Sequence, residues 1–118
     1  MPGAYEQHEK AFRDVSAYVI LDTNGCIERV ATITFKHPRD GAGRLYAYVH
    51  WFGQAMVRGF ASGGGYDKKS AAVGAAIRKT PADGSERHDE FRRALAKDDG
   101  RYWDNRLRDA GFIVLQAV

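Results

Sequence analysis

The chain has 118 residues, 44% of them hydrophobic and 28% charged, with 18 Lys+Arg against 15 Asp+Glu. That length suits one domain with an ordinary packed core, and the apolar content excludes an intrinsically disordered chain. A lone Cys26 excludes a disulfide scaffold, and no apolar run approaches the length of a membrane span or a signal-peptide core, so a soluble, cytoplasmic protein is expected.

Residues 1–15 are polar apart from Ala11, Phe12 and Val15 and read as an arm or short helix, leaving residues 16–118 as a single domain. From Ala17 to Leu21 the residues are strand formers, and Asn24-Gly25 supplies the positive φ angles of a two-residue hairpin. Ile27 to Lys36 alternates as a half-buried strand, with Arg29 and Val30 interrupting the pattern. After a loop from His37 to Gly43, Arg44 to Phe52 predicts a third strand with Leu45, Ala47, Val49 and Trp51 on one face and Tyr46, Tyr48, His50 and Phe52 on the other. The Leu45, Ala47, Val49 and Trp51 face suits the core, while the tyrosine face is amphipathic and suits a partner interface or a packed helix; since helices need a surface to pack on, it is expected to be mainly covered. Ala55 to Ala61 completes a four-stranded meander.

The first helix is expected to start near Asp67 or Ser70 and stop before Pro81. Ser85 caps a second helix whose stripe is His88, Phe91 and Leu95, and Asp99-Gly100 ends it. Trp103, Leu107 and Ala110 mark a third helix closed by Gly111. The apolar run Phe112 to Val118 suits a strand inside the sheet and covered on both faces. The expected fold is therefore α+β, an antiparallel sheet in the order β-β-β-β-α-α-α-β with helices packed on one face.

The net charge of +3 is spread along the chain, +1 over residues 1–61 and +2 over residues 62–118, so neither half is a basic block. The least ordinary feature is Gly63-Gly64-Gly65, followed by Tyr66, Asp67, Lys68, Lys69 and Ser70. Three glycines before a helix N-terminus, with two lysines and a hydroxyl, form a candidate anion cradle that Arg58 extends. The spacing is neither that of a P-loop nor that of the dinucleotide fingerprint, and Asp67 competes with an anion.

No metal or catalytic group is expected, because the four histidines are far apart and Cys26 has no activating neighbour. No cofactor is implied. Tyr46, Tyr48, His50 and Phe52 with Arg44 and Arg58, or Tyr102-Trp103 with Arg101 and Arg106, would suit single-stranded nucleic acid if exposed.

The segment Gly63-Gly-Gly-Tyr-Asp-Lys-Lys-Ser-Ala-Ala72, a short amphipathic helix and the terminal Ala110-Gly-Phe-Ile-Val-Leu-Gln-Ala-Val118 resemble small accessory proteins encoded in phages and prophages. The resemblance covers the chain after Gly59 best and carries no catalytic residues to transfer. It implies a counter-defence protein of the anti-CRISPR kind, binding a host defence protein or ribonucleoprotein complex in the host cytoplasm. Tyr48, Trp51, Tyr66 and Trp103 are then the expected aromatic anchors. The alternative is a nucleotide or nucleic-acid binding module built on Gly63 to Ser70. Neither reading involves a membrane, and the oligomeric state stays open, a homodimer included.

Overall fold

A computed structural model of the protein describes residues 15–37, 43–62 and 68–116. Five strands run in the order β1 Ala17–Thr23, β2 Cys26–Lys36, β3 Leu45–Trp51, β4 Val57–Ala61 and, after the helices, β5 Ile113–Gln116. The helices are α1 Lys68–Ile77, α2 Glu86–Ala96 and α3 Trp103–Asp109, with a tight turn over Lys97–Gly100 between α2 and α3. The α+β class and the element order are those that the sequence predicts. The arm expected over the first residues lies outside the described residues.

All five strands are antiparallel neighbours in the spatial order β4-β3-β2-β1-β5. The β1–β2 hairpin closes at Asn24 (φ 53°) and Gly25 (φ 83°), and the Asp22 carboxylate accepts the Gly25 N–H at 3.1 Å. This is the tight turn that Asn-Gly favours, because both central residues need positive φ. Between Val19 and Ile20 the register with β2 shifts by one residue, which turns both Val30 and Ala31 toward the core. That bulge explains why the alternation of β2 looks broken at Arg29 and Val30.

The helices pack on one side of the sheet, against Ala17, Val19, Ala31, Ile33, Ala47 and Val49. Close approach is possible because the sheet residues there are small. A methyl group at Gly59 of β4 would collide with the α1 backbone at Ala72 and Ala76, so only glycine lets that helix lie down. On its other flank α1 meets the Lys97–Gly100 turn, where Gly74 and Gly100 touch backbone to backbone. Phe91, Leu95 and Leu107 fill the space between helices and sheet and are fully buried. Ser85 caps α2 by accepting the His88 N–H, as its place before the helix predicts.

Two sequence expectations are corrected. The final strand lies at the edge of the sheet and not inside it, and only Val114 is buried, with Ile113 and Leu115 exposed. Its apolar run gave no alternation to read, yet the strand alternates in space; residues 117–118 fall outside the described set. The tyrosine face of β3 is also not the one the helices cover: Phe35, Trp51 and Gly59, on the opposite face, meet α3, α2 and α1. Small helix residues, Ala72 and Ala76, select the small-residue face of the sheet at Gly59.

Candidate functional site

The uncovered face carries the residues of β1, β2, β3 and β4 that point away from the helices. Antiparallel register sets them in rows: Tyr18, Thr32 and His50 in one, Thr34, Tyr48 and Arg58 in the next, Lys36, Tyr46 and Phe60 in the third. Leu115 of β5 extends the first row beside Tyr18. Thr32 and Thr34, small and buried, run down the middle between larger rings. No carboxylate stands in these rows. Asp22, at the hairpin tip of the same face of β1, is occupied by the Gly25 N–H.

The rings sit close enough to act as one platform. Tyr46 lies 5.9 Å from Phe60 and 6.4 Å from Tyr48, centroid to centroid. Guanidinium groups lie on the rings: Arg58 is 4.9 Å from the Tyr46 centroid, Arg29 4.9 Å from Tyr18 and Arg44 5.7 Å from Phe60. Such stacking holds a cation in place without neutralising it. Phe60 stays 49% exposed, a large apolar ring with no structural need to be on the surface. A recess of about 170 Å³ opens between Thr34, Lys36, Tyr48 and Met56.

Of the residues singled out in the sequence, the fold brings Tyr48 and Arg58 to this face together with Tyr46, Arg44 and His50. Trp51 and Trp103 correct the expectation of outward anchors. Trp51 packs on Phe91 at 5.1 Å and on His88 at 5.2 Å, and Trp103 is buried against Phe35 at 5.7 Å. Both tryptophans lie on the helix side, where their area closes the core. Gly63, Gly64, Gly65, Tyr66 and Asp67 lie outside the described residues. Lys68 donates to the Gly43 carbonyl at 3.0 Å, Lys69 rests its ammonium 5.4 Å from the Phe35 centroid, and Ser70 is buried.

One cluster was not singled out in the sequence. Asp83 accepts hydrogen bonds from the Ser85 N–H at 2.8 Å, from His88 Nδ1 at 3.1 Å and from the Gln54 amide. The Asp83 carboxyl is held below its usual range first by the Ser85 N–H and then by the charge and hydrogen bond of His88, with partial desolvation opposing. The Gln54 carbonyl in turn meets His50 Nε2 at 3.0 Å, so the β3–β4 turn and the start of α2 are tied together. Ligand atoms of Asp83, His88 and Asp89 lie within 4.8 Å of one another, a spacing that could hold a cation. Asp83 already serves three donors, and His88 has no exposed surface from which to reach a substrate. The arrangement therefore works as a brace. The legible signal was Asp83 two residues before the Ser85 cap, on the side from which His88 projects.

No helix among the described residues is long and apolar enough to cross a membrane. Comparison with known proteins adds no relative. The chain matches no family model, and no curated protein or solved structure is similar to it at a significant level. Any functional reading therefore rests on the geometry of its own surface.

Proposed function

We propose that the protein works by binding and not by turnover, and that the open face of the sheet binds single-stranded nucleic acid. The observation that supports this is the coincidence of Tyr18, Tyr46, Tyr48 and Phe60 with Arg29, Arg44, Arg58 and Lys36 on rows without a carboxylate. Flat rings stack bases of any sequence, and the cations follow the phosphates or stack on bases themselves. The threonine channel gives the strand a floor between the rings. The anion cradle foreseen at Gly63 to Ser70 is not needed for this reading.

Fluorescence anisotropy of the full chain with a labelled 12-nucleotide single strand tests it. Affinity should fall steeply between low and physiological salt through counterion release, with Arg58→Ala lowering the slope of log K against log salt by about 0.7. Replacing both Tyr46 and Tyr48 by Ala should cost about 1–3 kcal/mol of binding per stacked base, roughly five- to 150-fold. A single strand that fails to bind at low salt removes the reading.

A second reading, the counter-defence role implied by the sequence resemblance, draws support from the exposed apolar residues Phe60, Ile113 and Leu115 around the same face. Here the face would dock on a host protein or protein–nucleic-acid complex, with Tyr48 and Phe60 as anchors. Weak salt dependence with a protein partner, and none of the strand binding above, would favour it.

A further inference from the structure

The rings of the open face repeat at every second residue of β3, and that repeat decides what form of strand can lie on them. Neighbouring side chains on one face of a strand are two residues, about 6.6–6.8 Å, apart, and the Tyr46 and Tyr48 ring centroids are separated by 6.4 Å. A helically stacked nucleic-acid strand advances only about 3.4 Å per nucleotide. Stacked bases therefore cannot fall one to each ring. A strand drawn out until its bases part can do so, and Arg58 opposite Tyr48, with Phe60 opposite Tyr46, widens each platform across the sheet.

A second observation comes from the same rows and concerns volume. The recess of about 170 Å³ is bounded by Thr34, Lys36, Tyr48 and Met56. A cavity of about 150 Å³ holds one benzene ring. The recess therefore suits a single six-membered base and leaves little beyond it for the second ring of a purine. Its walls fit a flat, mostly apolar guest: Tyr48 supplies an aromatic ring and Met56 a flexible thioether that is 38% exposed. Thr34, short and only 5% exposed, keeps the space between them open.

We propose that the open face selects pyrimidine-rich single strands, held unstacked with one nucleotide to each row along β3 and one pyrimidine seated between Tyr48 and Met56. The proposal rests on the single-strand reading of this face and adds the class of base that it prefers. Preferences of sequence-tolerant sites come from stacking strength and backbone flexibility. Pyrimidines stack on one another more weakly than purines, so a run of them reaches the wide spacing of the rows at lower cost. Spacing and volume thus favour the same bases for separate reasons.

Fluorescence anisotropy of the full chain with oligo(dT) and oligo(dA) of equal length, at one low salt concentration, tests it. Oligo(dT) should bind about tenfold more tightly than oligo(dA). Oligo(dA) bound at saturating protein should lose the circular-dichroism band of its stacked bases. Met56→Trp, which fills the recess from an exposed position, should bring the two affinities within about twofold of each other while leaving the thermal midpoint unchanged. Equal binding of oligo(dT) and oligo(dA) by the parent overturns the proposal and leaves the single-strand reading standing, whereas failure of both to bind removes that reading as well. A stacking band that survives in the complex overturns the placement of one nucleotide per row. A preference untouched by Met56→Trp overturns the seat between Tyr48 and Met56.

Discussion

The two faces of one strand, β3, carry opposite kinds of side chain. Toward the helices stand Leu45, Ala47, Val49 and Trp51; toward the open side stand Tyr46, Tyr48 and His50. On the covered side, size is dictated by the helices: Gly59 and Ala47 are small where α1 lies on β4 and β3, and the rings of Trp51 and Phe91 fill the space left toward α2. On the open side no described helix makes that demand, yet the largest amphipathic side chains are there, with arginines stacked on them. Burial explains the first face fully. It does not explain the second, where Phe60 is exposed and Arg29 and Arg58 lie over tyrosine rings.

This contrast can be broken most decisively in the core. Phe91→Ala should cost about 3–5 kcal/mol in denaturant unfolding, since a fully buried ring between sheet and helix leaves a cavity. A loss under about 1 kcal/mol would mean that the helices do not depend on that face. Gly59→Val tests the same side by overfilling it: a branched side chain against the α1 backbone should cost about 1–3 kcal/mol. Tyr46→Ala, by contrast, should change stability by only about 0.5 kcal/mol, as surface substitutions usually do, while weakening strand binding severalfold. If Tyr46→Ala destabilised as much as Phe91→Ala, the open face would be structural after all.

The smallest effect is expected from the brace at the start of α2, and it depends on pH. Because Asp83 has a lowered pKa in the folded state, the stability it supplies is complete above the unfolded carboxyl range, about 3.9. That contribution is lost as pH falls through the lower folded value. Asp83→Asn should therefore unfold more easily than the parent at neutral pH, and the gap between the two should close in acid. A gap constant from pH 7 to pH 2 would show that the carboxylate charge plays no part.

Much of the fold was legible because its determinants are local. Asn24-Gly25 encodes its hairpin, Ser85 its cap, and the element order follows from alternation and breakers. The core face of β3 was legible, since Leu45, Ala47, Val49 and Trp51 suit a packed interior; that the tyrosine face stays uncovered was not, since it too carries apolar surface. It could have been read from size, because Ala72 and Ala76 of α1 need an equally small surface opposite. The edge position of β5 was hidden by its uninterrupted apolar run, and the Asp83–His88 contact depends on where a helix begins. Tyr48 and Arg58, singled out on chemistry alone, lie on the open face, whereas Trp51 and Trp103 lie on the helix side, because aromatic area serves a core as readily as a surface. Nothing in the sequence marks the positive φ angles of Asp98, Asp99, Gly100 and Tyr102 except a glycine and two aspartates, residue types that tolerate them.

Gly59, Gly74 and Gly100 together make a seam in which α1 is gripped on two sides by main chain alone. A contact built without side chains has no rotamers to adjust, so substitutions there cannot be absorbed by repacking. In a saturation mutagenesis screen for folded protein, these three sites should accept glycine only, while the half-buried Ala71 and Ala75 of the same helix accept serine. The helix held by the seam would then be the least evolvable part of the chain, although its own sequence is among the plainest.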